Sequence, residues 1–198
     1  MSLGAASTSP IPPISAAAVT RTRILDAALE LFSEHGFEGT TLQQIADRLG
    51  FTKAALYYHF RSKDDLLQAL IAPAIAELDA LLDAYEQETD TPGQRRRFAE
   101  DYIDVMLGQR RLIAYMASDL AIVAHPAIAG GHVERRARLQ AQLAGDGLEL
   151  REQVRVTMAT RAIGGVIAQF PDADPAELRA ILIDATRALL RPRRRHPS

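Results

Sequence analysis

From Thr20 to Leu190 the apolar residues of this chain recur at helical spacing. No stretch of four to eight residues alternates apolar and polar side chains between turn signals. The pattern predicts an all-α protein of about nine helices without a sheet. The first helix is plain in TRTRILDAALELFSEHG, where Ile24, Leu25, Ala28, Leu29 and Phe32 share one face and Gly36 offers a stop. At 198 residues and 47% hydrophobic content the chain can bury a sizeable core.

Punctuation divides the chain. Residues 1–19 are rich in Ser, Ala and Pro and carry no charge, so a disordered arm is expected there. Residues 20–71 hold short helices with clear caps. Thr41 with Gln44 makes a reciprocal cap, Gly50 supplies a left-handed turn, and Thr52 and Ser62 start two further helices. Residues 72–191 are longer helices, and Pro73 is expected to kink the fourth helix rather than end it. The run RRLIAYMASDLAIVAH is expected to be one helix stopping at Pro126. Residues 192–198 form a basic tail.

The absence of cysteine excludes disulfides and thiolate metal sites. No apolar run approaches the roughly 18 residues of a membrane span, and the N-terminus lacks a secretory pattern, so a cytoplasmic protein is expected. Neither GxxxxGK[ST] nor GxSxG occurs, and His125 and His132 lack the company of a ligand cluster. No enzyme, cofactor or metal site is expected.

The net charge of −2 is a sum over unlike regions. Arg48, Lys53, Arg61 and Lys63 occur with no acid between them, and cation placement rather than total charge governs phosphate binding. From Thr41 to Phe60 two short helices flank a tight glycine turn, the shape of a helix-turn-helix. Leu56 and Phe60 can face a core of Leu29, Phe32, Ile45 and Leu49. Lys53, Ala54, Tyr57, Tyr58 and His59 cannot all do so. Thr52, Tyr57, His59 and Lys63 carry donors suited to phosphate, small Ala54 and Ala55 allow close approach, and the helix starts at Thr41, Thr52 and Ser62 offer free N–H groups. The alternative is that the aromatics are core residues with wet polar tips.

The segments AALELFSEHGFEGTTLQQIA and KAALYYHFRSKDDLL resemble the DNA-binding domain of the TetR family of transcriptional regulators over roughly residues 20–70. The resemblance implies that Thr41 and Thr52 touch the DNA backbone as helix caps. Lys53 and Ala54 would lie at the base-reading end of the recognition helix with Tyr58 close by, and Tyr57, His59 and Lys63 on phosphates. It also implies a helical C-terminal domain that dimerises through its last two helices and binds a small molecule: a homodimeric repressor on an inverted-repeat operator. Lys53-Ala54-Ala55 is poor in Asn and Gln, which leaves readout to Lys53, apolar contact and DNA shape. A DNA-organising helical protein without effector is the other reading.

Beyond residue 72 the residues are less specific. Gly164 and Gly165 fall in mid-helix, where each costs roughly 1 kcal/mol against alanine, which close helix approach would explain. Leu178, Ile181, Leu182, Ala185 and Leu189 make one stripe, serving either a dimer interface or an intrachain core. Phe98, Tyr102, Met106, Tyr115, Met116, Met158 and Phe170 are candidates to line an effector pocket, or are simply core. Asp119 sits in an apolar run, where a carboxylate is costly unless it pairs with an arginine or selects a ligand.

Overall fold

The computed structural model describes residues 15–119, 122, 125–126, 130–145 and 148–190. The basic tail lies outside them, as do the first 14 residues of the expected arm. The described residues form nine helices and no strand: α1 (Ala16–Gly39), α2 (Leu42–Leu49), α3 (Lys53–His59), α4 (Lys63–Glu86), α5 (Pro92–Gly108), α6 (Arg110–Ser118), α7 (His132–Ala144), α8 (Leu150–Gln169) and α9 (Pro175–Leu190).

The caps fall where sequence chemistry puts them. Thr41 and Gln44 close a capping box on α2, and Thr52 and Ser62 accept from Ala55 N and Asp65 N at the starts of α3 and α4. Asp174 Oδ1 accepts from the backbone N–H groups of Ala176 and Glu177 at the head of α9. Helix α4 runs uninterrupted through Pro73.

Two expectations are corrected. Helix α1 starts at Ala16 with Ser15 as its cap, because Ala16–Ala18 are good helix formers once Ser15 satisfies the first turn. Residues 16–19 of the expected arm are therefore helical. Helix α6 ends at Ser118, with Asp119 in a non-helical conformation (φ −118°, ψ 88°), so the run to Pro126 is not one helix. Gly36 breaks α1 at φ 73°, and one further turn carries the chain to Gly39. Buried Thr40 holds that break, its hydroxyl donating to Leu31 O and Gly36 O at 3.1 and 2.9 Å.

Two cores follow. The first joins α1, α2, α3 and the start of α4 around Ile24, Phe32, Ile45, Leu56 and Leu67, and takes Leu112, Tyr115 and Ile122 from beyond them. The second joins the far end of α4 with α5, α7, α8 and α9 around Leu82, Phe98, Ile103, Val156 and Ile167. One rod about 36 Å long, α4, thus belongs to both. Arg135 and Arg138 of α7 clamp its acidic face through Asp79, Asp83 and Glu86.

Candidate nucleic-acid interface

Seven residues of α3 bury one side chain, Leu56. Phe60, its C-cap, is also buried. Tyr57 is 43% and Tyr58 84% exposed, so neither is a core aromatic. Lys53 Nζ stands 5.7 Å from the Tyr57 ring centroid, and the Tyr58 and His59 rings meet edge to face at 5.2 Å. Ala54 and Ala55 are exposed between them. The helix therefore projects a row of aromatic, basic and small side chains, a size that fits a DNA major groove.

Charge pairing sharpens the picture. Arg48 turns away from this face and bonds Glu34 at 2.9 Å, holding that carboxyl below its usual range. By contrast Lys53 and Arg61 make no side-chain ion pair among the described residues, and neither do Arg21 and Arg23. Arg21 stacks over Phe60 at 4.3 Å and Arg23 over Phe51 at 5.4 Å. These two arginines flank both ends of α3 and were not among the residues singled out by pattern. Their only sequence signal is the TRTR that opens the apolar stripe.

Lys63 is differently placed. Its ammonium donates to Phe37 O at 2.7 Å, lies 3.4 Å from Glu38 Oε2 and sits 4.4 Å from the Phe37 ring centroid. The backbone N–H of the same Phe37 donates to Asp119 Oδ2 at 2.9 Å. Asp119 thus pairs with no arginine among the described residues, and it lines a small cavity beside the Gly36–Gly39 turn. It ties the end of α6 to the break in α1, while Lys63 ties the start of α4 to the same residue. His125 completes the junction, 5.4 Å from the Phe37 ring and 3.2 Å from Asp64 Oδ1. Among the described residues no group of three His, Asp or Glu side chains is placed to hold a metal.

Residues 24–70 match the pattern of "Bacterial regulatory proteins, tetR family". A structure of the TetR family regulator PfmR from Thermus thermophilus superposes with a TM-score of 0.67 at 25% identity, covering 87% of this chain and all of that one. Residues 24–70 are a DNA-binding domain of the TetR-family type. The regulator SrpR of Pseudomonas putida is 51% identical over 53 residues, 27% of this chain and 25% of its own length. TtgR, also of Pseudomonas putida, is 34% identical over 103 residues, 52% of this chain and 43% of that regulator. The chain therefore spans less than half the length of these curated relatives, and the strong likeness is confined to the helix-turn-helix part of this TetR-family fold.

The structure rearranges the remaining candidates. Phe98, Tyr102 and Tyr115 are buried core residues, and Met106 and Met116 are half-buried beside them. Met158 and Phe170 are more than half exposed on α8 and at its end, so they line no interior pocket. The stripe on α9 splits. Leu178 and Leu182 belong to the intrachain core, whereas Ile181 and Ala185 are exposed and Leu189 is half-buried. The glycines split as well. A methyl group at Gly164 would meet Met106 Cε at 3.6 Å, so that position serves intrachain packing, while nothing lies within 4 Å of one at Gly165. A cleft of about 430 Å³ opens elsewhere, between α5, the end of α7, the start of α8 and the end of α9, and none of the sequence-nominated pocket residues lines it. Tyr115 keeps its buried hydroxyl without a hydrogen bond, and burial and the nearby Asp119 carboxylate push that phenol well above its ordinary range.

Proposed function

We infer that this chain is a homodimeric, effector-responsive transcriptional regulator, acting in the cytoplasm as a repressor on an inverted-repeat operator. One observation carries the reading: a seven-residue helix spends a single side chain on the core and leaves Lys53, Ala54, Tyr57 and Tyr58 to a partner, framed by cations without carboxylates. Lys53 reads a base edge at the start of α3, Ala54 and Tyr58 contact bases and sugar beside it, and Tyr57, His59 and Arg61 hold phosphates. Thr41 and Thr52 position the backbone through their helix starts. Arg21 and Arg23 extend the phosphate contact along α1.

The dimer face is the exposed apolar strip of α8 and α9. Val154, Met158, Ala162 and Gly165 recur at three to four residues on α8, and Ile181, Ala185 and Ala188 on α9. Two copies bury these strips as a four-helix contact, and outward Gly165 lets a partner helix come close. Effector binding reaches the DNA helices through Phe37, since α6 and α4 grip the break in α1 through its N–H and C=O. Among the described residues no helix is long and apolar enough to cross a membrane.

The test is selection of bound sites from random duplex DNA. An inverted repeat whose half-sites lie about 34–36 Å apart, or a multiple of that, is the expected product. Recovery of no motif, with binding that vanishes as salt rises, would refute sequence reading and leave a DNA-organising protein.

A further inference from the structure

Of the 23 basic residues in this chain, 21 are arginine and two are lysine, Lys53 and Lys63. Both lysines belong to the helix-turn-helix part. A guanidinium stays protonated in water at any ordinary pH, whereas a lysine amine can shed its proton and accept an acyl group. The chain has no cysteine, so no thiol competes for an acyl donor. Acylation of basic side chains can therefore erase charge at two positions only.

The fold separates those two amines. Lys63 Nζ donates to Phe37 O at 2.7 Å, faces the Phe37 ring at 4.4 Å and lies 3.4 Å from Glu38 Oε2, and its side chain is 23% exposed. Attack by that nitrogen requires giving up all three contacts. Lys53 is exposed at the start of α3 and makes no ion pair among the described residues. The Tyr57 ring centroid is 5.7 Å from its ammonium, near the outer limit of a cation–π contact. Arg21, Arg23 and Arg61 also make no ion pair among the described residues, and a face of such cations concentrates a doubly charged anion.

We propose that Lys53 is the acyl-acceptor amine of the folded chain, that an acyl phosphate is its donor, and that the modification switches α3 off as a base reader. One proton of the ammonium passes to water. The freed Nζ lone pair attacks the carbonyl carbon of the acyl phosphate and an N–C bond forms. The bond from that carbon to the phosphate oxygen breaks, and its electron pair leaves on phosphate. Phosphate takes a second proton from the nitrogen, and the resulting amide is neutral. An ammonium offers three donors and no acceptor, whereas the amide offers one donor and an acceptor carbonyl. Guanine presents two acceptors to the major groove, so the modified side chain loses both its charge and its match to a base edge. The selectivity between the lysines is independent of the regulator reading, and the consequence at DNA rests on it.

Acetyl phosphate is the probe, and peptide mass spectrometry of the full chain reads each lysine. In the folded chain Lys53 acylates roughly tenfold or more faster than Lys63, the cost of surrendering a charge-assisted hydrogen bond. In urea the two rates converge. Operator DNA, taken from the site selection, slows the reaction at Lys53. The chain acetylated at Lys53 binds that operator roughly 10- to 100-fold more weakly by anisotropy. The same treatment leaves the operator affinity of Lys53→Arg where it was before treatment. No reaction at Lys53, equal rates at the two lysines in the folded chain, or a rate ratio that persists in urea overturns the proposal. A chain acetylated at Lys53 that binds the operator as tightly as before overturns the switch and keeps the regulator reading. An unmodified chain that selects no DNA sequence overturns the regulator reading and the switch with it, while the two rates still decide which amine is the acceptor.

Discussion

Lys63 is the residue whose expected role the geometry divides, and its substitution decides between a phosphate contact and an internal tie. In the free chain its ammonium donates to Phe37 O at 2.7 Å and faces that residue's ring at 4.4 Å, with the side chain 23% exposed. A charged donor on a largely buried carbonyl is worth about 1.5–3 kcal/mol, and the ring contact about 0.5–2 kcal/mol. The Glu38 pair adds little, because Glu38 is almost wholly exposed. The Phe37 carbonyl keeps the Thr40 N–H and water can reach it in part, so Lys63→Met, which keeps the stem, costs about 2 kcal/mol. At 2–4 °C per kcal/mol for a domain of this size, Tm falls by roughly 4–8 °C. Tyr58→Ala is the comparison. Tyr58 is the more exposed of the two tyrosines on α3, at 84%, so its loss moves stability by less than about 0.5 kcal/mol while weakening DNA binding. Thermal melting by circular dichroism and anisotropy over a salt series read both axes. If Lys63→Met melted like the parent and lowered only the salt slope, by about one unit, the internal tie would be refuted and Lys63 would be a plain phosphate ligand.

Neighbouring residues of α9 give opposite phenotypes. Leu182→Ala, in the core, lowers stability by about 2–5 kcal/mol, whereas Ile181→Glu leaves the helical signal intact and yields monomers by light scattering. Gly165→Ala gains up to about 1 kcal/mol of helix propensity in the monomer yet weakens the dimer, measured by sedimentation equilibrium. A tightened dimer would remove Gly165 from the contact. Burial raises the phenols of Tyr85 and Tyr102 from about 10 to about 12, and the Asp101 carboxylate adds to the effect at Tyr85. The folded state therefore holds protons that the unfolded chain releases. Stability is full below pH about 10 and falls between about 10 and 12, read as the denaturant midpoint against pH. A midpoint constant over that window refutes it.

The helix-turn-helix was legible because its signals are local. Caps at Thr41, Thr52 and Ser62, the left-handed Gly50 and the apolar set Leu29, Phe32, Ile45, Leu56 each act within a few residues or on one helix face. Tyr57 and Tyr58 were legible by exclusion, since a two-turn helix has one buried stripe. The second half was less so, because its helices are apolar on more than one side. On α9, Leu178 and Leu182 face the core while Ile181 and Ala185 face out, and a single apolar stripe cannot say where one surface ends and the other begins. Met158 and Phe170 were misplaced for the same reason: softness suggests a pocket, and an exposed strip demands the same residues. The cleft had no sequence signature. Its arginines lie on three helices and become neighbours only when α5, α8 and α9 pack.

The position of Phe37 explains how a break in one helix can serve two domains. Gly36 at φ 73° stops the α1 hydrogen-bond ladder, and the stop turns the Phe37 N–H outward, while Phe37 O accepts from Thr40 N at 3.3 Å and keeps a lone pair for a second donor. Asp119 takes the N–H and Lys63 answers the C=O. Both partners are charged and partly buried, so either bond is costly to leave unmade once its neighbour is fixed. A shift at the end of α6 therefore cannot be absorbed at Phe37 alone. It must move the Gly36–Thr40 turn, which leads directly into α2, or displace Lys63 at the head of α4. Either route ends at the elements that aim α3.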